Sequence, residues 1–409
     1  MKQTVGSELA RMAAEKMGGK SPGGLDVLEA KTRALAVLSD REGVNVSMHG
    51  RAQALVEPSA ARRVHELEEA VAGSPADSGL KAELTRCRDA ARDDAGYFLI
   101  DEDPVRAELF RGLKSKGWPV QEYWPVGTQG EVGELYVSPR LGERQEKVNP
   151  ATIPYSQRLG DQASCMELMG RLHGEEQIMH GHPHGGNLLK DSDGGWVILD
   201  AKRSEKKQLN WADPENVFQA FQRDYVMLGR NLYQAGIRRE DLQGMADAMV
   251  KQYPVDDGKG VAGLIHGEFT RQHDFYALTD EFTGQLKADP GLARHREVLQ
   301  TLITTTGAGN LHFPHAEKTL DAFEAVIQGK TSTQSPRDEL SGIYSELGFT
   351  DDKLTPPAVE AWQYLKERLG EFRDSHPECA SILSDRDRIK SFMPKAVVYA
   401  THEPVPREK

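Results

Sequence analysis

The chain has 409 residues, 38% of them hydrophobic and 28% charged, with a formal net charge of -12. That length allows two or three domains with sizeable cores, the acidic balance argues against generic nucleic-acid binding, and no apolar run is long enough for a membrane span. Three cysteines (Cys87, Cys165 and Cys379) lie far apart without a Cys-x-x-Cys spacing, so free thiols are expected, and Met1-Lys2-Gln3-Thr4 leads into no signal-peptide apolar segment. The expectation is a cytoplasmic protein, or one secreted without a cleavable signal peptide.

Residues 1–95 read as a mostly helical, polar extension. Helices are expected at Ser7–Met17, Leu25–Leu38, Ala60–Val71 and Leu80–Ala91, broken by Gly/Pro/Ser-rich stretches at 18–24 and 73–79. Weak alternation between Gly43 and Val56 suggests strand. Tyr97-Phe98-Leu99-Ile100 is a short apolar strand. Asp103-Pro104 then opens a helix, with an acidic N-cap, proline in the first turn, Leu109 and Leu113 on the apolar face, and Gly117 at the end. Two more strands follow, Pro119–Val126 and Glu134–Val137, joined by a turn spaced by Gly127, Gly130 and Gly133. That spacing imitates a glycine-rich phosphate loop, but too few residues separate it from the motif below, so a plain hairpin turn is the better reading. Asp161–Leu172 is a helix.

The most informative stretch runs from Leu172 to Ser204. It contains Leu172-His173, then His180-Gly181-His182-Pro183-His184-Gly185-Gly186-Asn187-Leu188-Leu189, a turn at Asp191-Ser192-Asp193-Gly194-Gly195, and Trp196-Val197-Ile198-Leu199-Asp200-Ala201-Lys202. Two short apolar runs around a Gly/Asp turn signal a hairpin. Asn187 precedes its first strand and Asp200 follows its second, so a carboxamide and a carboxylate come to one edge. Hard oxygen ligands of this kind suit a metal that bridges nucleotide phosphates.

This pattern resembles the catalytic loop and metal-binding hairpin of the protein-kinase-like superfamily, in the branch of aminoglycoside and choline phosphotransferases, lipopolysaccharide kinases and the ABC1 group. The resemblance implies an α+β fold, bilobal and kinase-like, with a helical N-terminal extension and extra C-terminal helices. On that reading, 1–95 is the extension, with room in it for the first N-lobe strands, 96–140 the N-lobe, 141–328 a helical C-lobe and 336–400 an appended helical module, with Pro139–Gln145 linking the lobes. The resemblance implies ATP and Mg2+ (or Mn2+) as cofactors, Asn187 and Asp200 as metal ligands, and His180 and His184 as braces of the loop. Glu108 corresponds to the helix glutamate that pairs with a strand lysine to hold the nucleotide phosphates. No lysine stands at the expected place, where the strand ends Leu99-Ile100-Asp101; Lys81 would need a different register, and Lys202 is a candidate substitute.

His182 occupies the place of the catalytic aspartate. A neutral imidazole can accept a proton near pH 7 but lacks the fixed negative charge. The expected activity is therefore a divergent phosphotransferase on a small-molecule or protein acceptor, with a pseudokinase scaffold as the alternative. A third reading takes His180, His182 and His184, with Asp200, as a metal site of a zinc hydrolase, because alternate residues of an extended chain face one way. Past Asp200 the sequence is helical, with Phe218, Phe221, Tyr225, Leu228 and Leu232 at helical spacing.

Overall fold

The computed structural model describes residues 45–47, 52–55, 58–74, 77–94, 97–129, 134–139, 143–144, 150–191, 193–199, 205–255, 259–305, 316–330, 332–350, 352 and 354–401. The helices expected at Ser7–Met17 and Leu25–Leu38 lie outside these residues, as do Asp200 and Lys202. The described chain is mixed α+β, mostly helical, with small antiparallel sheets. No described helix is long and apolar enough to cross a membrane.

Two compact units divide the chain: Met1–Met227 with Ala248–Asp256, and Leu228–Asp247 with Asp257–Lys409. In the first, strands β1 (Asn45–Ser47), β2 (Ala52–Leu55), β3 (Tyr97–Glu102), β4 (Trp124–Gln129) and β5 (Glu134–Pro139) form an antiparallel sheet in the order β1-β2-β3-β5-β4. Helices α1 (Pro58–Gly73) and α2 (Ser78–Asp94) stand between β2 and β3 in sequence. Ala54 and Phe98 pack with Ala61, Val64, Leu67, Leu84 and Ala91 of those helices. Leu55 and Leu99, one residue on and therefore on the other face, pack with Val126 and Val137. β1 and β2 thus belong to one sheet with β3.

Helix α3 (Pro104–Ser115) begins as its sequence indicates. Asp103 accepts a hydrogen bond from the Val105 N–H, Pro104 fills the first turn, and Ala107, Phe110 and Leu113 are buried. Gln129 pairs with Glu134 across β4 and β5, which makes the glycine-spaced segment a hairpin connection. After β6 (Glu143–Arg144), helix α4 (Tyr155–Glu176) extends past both ends of the 161–172 that the apolar pattern predicts. β7 (Ile178–Met179) pairs with β10 (Glu205–Lys206). Between them in sequence, β8 (Leu188–Lys190) and β9 (Trp196–Ile198) form a hairpin, and β8 also pairs with β6.

Helix α5 (Pro214–Gln234) begins in the first unit and ends in the second. After α6 (Leu242–Val250), the second unit holds α7 (Lys259–Ala288), α8 (Gly291–Thr305), α9 (Glu317–Ile327), α10 (Pro336–Glu346), α11 (Pro356–Ser375), α12 (Cys379–Ile382) and α13 (Arg386–Thr401). Phe282, Leu299, Phe323, Ile343, Trp362, Phe372 and Phe392 share one core. Helices α10 to α13 complete the core that α7, α8 and α9 begin.

Candidate functional site

The site is built where α4 ends. Gln177 takes a left-handed conformation (φ 56) and its N–H caps the carbonyls of His173 and Leu172. The chain turns into β7, and Lys207 N–H donates to the Gln177 carbonyl at 2.8 Å. His180 to Asn187 then form a tight loop. His184 N–H donates to the His182 carbonyl (2.9 Å) and Asn187 N–H to the His184 carbonyl (2.8 Å). Gly181 has φ 80, a conformation that favours glycine.

This loop hangs from one carboxylate. Asp224, fully buried on α5, accepts from His180 N–H at 2.8 Å, Gly181 N–H at 2.7 Å and His173 Nε2 at 2.9 Å. His173 stacks on Phe221 with ring centroids 3.9 Å apart, and its Nδ1 lies 2.9 Å from the Tyr253 hydroxyl. Tyr253 in turn lies 2.9 Å from the Tyr225 hydroxyl. Because a carboxylate only accepts, Nε2 of His173 is the donor to Asp224. The contacts Tyr225–Tyr253–His173–Asp224 form one continuous buried hydrogen-bonded chain. Burial holds both tyrosine hydroxyls above their ordinary range.

Of this network the sequence names His173 and His180 in the motif, and Phe221 and Tyr225 only as part of a helical apolar stripe. It does not single out Asp224. The one signal for that residue is a carboxylate set into an apolar stripe, three residues after Phe221 and four before Leu228.

His180 is fully buried. Burial pushes its imidazole down to about 4, against the pull of Asp224 and the Leu199 carbonyl, so the ring is neutral. Its Nδ1 accepts from His182 N–H at 3.3 Å, while Nε2 forms no hydrogen bond among the described residues. His184 Nδ1 accepts from Gly186 N–H at 3.0 Å. Each of these two rings thus binds the loop's own backbone. His182 is half-buried, edge-on to His184 with ring centroids 4.4 Å apart.

Asn187 is buried at the open end of the β8–β9 hairpin, where its carbonyl accepts from Leu199 N–H at 2.8 Å. Its Nδ2 donates to the His182 carbonyl at 3.0 Å, which leaves Oδ1, the atom that suits a hard cation, outside that bond. Asp200 follows Leu199 directly in sequence, one step beyond the described end of the hairpin.

Glu108 is not drawn into this group. It pairs with Arg111 on the exposed side of α3, with 69% of its side chain accessible. The β3 residue Glu102 is buried instead and binds Arg106 at 2.6 Å. None of β1 to β5 carries a lysine, and Lys81 is exposed on α2.

The three histidines do not converge as metal ligands. Among the described residues no group of three or more His, Cys, Asp or Glu side chains is arranged to hold a metal ion. The left-handed Gly181 and the turn after His182 break the extended alternation that the hydrolase reading requires. Cys165 is buried and unreactive, its thiol pushed up to about 12 by burial. No protein-family model matches the chain, and no curated protein matches it in sequence.

Proposed function

We propose that the chain is a divergent, kinase-like phosphotransferase that takes ATP with Mg2+ or Mn2+ and acts on a small-molecule or protein acceptor. The observation that carries this reading is the loop His180–Asn187, held by Asp224, in which the Asn187 side chain binds the His182 backbone at the open end of a hairpin. Asn187 Oδ1 and the carboxylate of Asp200 would hold the metal, whose chemistry is to neutralise charge on the phosphates. His182 would accept the acceptor hydroxyl's proton. A rigid loop serves that role because phosphoryl transfer depends on positioning and electrostatics.

Binding without transfer is the second reading, and two observations favour it: the lysine-free strands β1 to β5 and the solvent-facing Glu108. Release of labelled γ-phosphate from ATP, to water or to the protein itself, separates the two. Turnover that falls about 100-fold in His182→Ala and recovers in His182→Asp supports transfer. Nucleotide binding with no turnover in the wild type or in His182→Asp supports the scaffold. Absence of both would remove the kinase-like reading.

A further inference from the structure

The second unit treats its buried and partly buried cations unequally. Lys366 meets Glu339 at 2.6 Å, Arg368 meets Asp289 at 2.9 Å and Arg388 meets Asp385 at 3.2 Å. Each of these three partly buried charges is given a carboxylate, as withdrawal of ions from water favours. Lys395 on α13 is 6% exposed, yet its hydrogen bond among the described residues is to the neutral hydroxyl of Tyr276, at 3.0 Å. Arg230 on α5 adds a second positive charge to the same place. Its guanidinium carbon lies 5.8 Å from the centroid of the Tyr276 ring, and Lys395 Nζ lies 4.7 Å from that centroid. Nε of Arg230 is buried without a hydrogen-bond partner among the described residues. Among those residues neither cation has a carboxylate at ion-pair distance. The neighbouring Asp280 carboxylate accepts instead from the Tyr233 hydroxyl, at 2.8 Å.

We propose that Arg230, Tyr276 and Lys395 form an oxyanion site that takes a phosphate group. Lys395 has two further N–H donors. Because an ammonium only donates, Tyr276 accepts from it and keeps its own O–H proton to give. The Arg230 fork makes no hydrogen bond with the described residues. Donors from three helices around one ring, two of them cationic, offer a phosphate group's several oxygens charge-assisted hydrogen bonds. Arg230 and Tyr276 are partly exposed and Tyr399 is 46% exposed, which gives an anion a way in. Burial, with Arg230 adding to it, pushes the Lys395 ammonium down to about 8, and a bound anion would reverse that.

The cation–π contacts with Tyr276 and Phe275 offer a purely structural role for the same lysine. Thermal melting of the full chain at pH 7, in sodium phosphate against sodium chloride of equal ionic strength, separates the two. The expected result is a Tm that rises with phosphate in the wild type and in Asn187→Ala, and no rise in Arg230→Gln or Lys395→Met. Arg230→Gln changes a partly exposed side chain, so it carries the test alone if Lys395→Met does not fold. Stronger stabilisation by phenyl phosphate than by inorganic phosphate would assign the site to a phosphomonoester, and the reverse order to the free anion. No rise in the wild type, a rise retained in Arg230→Gln, or a rise abolished by Asn187→Ala would overturn the proposal.

Discussion

Asp224 accepts a hydrogen bond from His173 Nε2 at 2.9 Å, with both side chains fully buried. The same carboxylate holds the backbone of His180 and Gly181. One acidic residue on α5 therefore couples the end of α4 to the loop that carries His182. Asp224→Ala leaves three donors without their acceptor. The expected cost is about 3–5 kcal/mol in urea unfolding, together with faster hydrogen exchange at the His180 and Gly181 amides. Unchanged exchange at those two amides would separate the carboxylate from the loop.

His180 sets an acid limit. Its folded pKa of about 4 lies below the ordinary value of 6.5, so the unfolded chain takes up the proton first. The associated stability is present above about pH 6.5 and is lost as pH falls through about 4, by an amount on the order of 3 kcal/mol. Urea midpoints from pH 7 to 4.5 should fall less steeply in His180→Asn than in the wild type. Equal slopes would contradict the assignment.

Gly170 and Gly160 lie on the same helix and predict opposite outcomes. A Cβ at Gly170 would stand 2.2 Å from the Met249 carbonyl oxygen, whereas at Gly160 nothing lies within 4 Å. Gly170→Ala should cost about 1–3 kcal/mol through forced separation of the two segments. Gly160→Ala should gain about 1 kcal/mol from helix propensity. Thermal denaturation of the pair checks both signs.

Lys395 acts at the other end of the pH scale. Its folded pKa of about 8 lies below the ordinary 10.5, so between those values the unfolded chain holds a proton that the folded chain has released. Stability should rise with pH across that window, by on the order of 3 kcal/mol before the ring contacts offset part of it. In phosphate-free buffer, Lys395→Met should abolish the rise between pH 8 and 10. A wild type with no such rise would show the ammonium to be compensated within the protein.

What is legible in the sequence is local. The β8–β9 hairpin follows from two apolar runs around Asp191–Gly195, and α3 from its Asp103-Pro104 start, because both signals sit within a few residues of the structure they cause. The stripe Phe218, Phe221, Tyr225, Leu228 and Leu232 is buried throughout. The anchoring of the loop is not legible, because His173, Asp224 and Tyr253 are far apart in sequence and meet only through packing. Position on a helix points to Glu108, yet its neighbours Ala107 and Phe110 take the buried face and turn it to solvent.

The most direct test of the nucleotide site is the melting temperature with ATP, with and without Mg2+ or Mn2+, for the wild type, Asn187→Ala and Asp200→Ala. A ligand that binds only the folded chain must raise Tm. The expected result is a metal-dependent rise in the wild type that both variants lose. A wild type whose Tm does not respond to metal and ATP, or variants that keep the full rise, would contradict a nucleotide site at this hairpin.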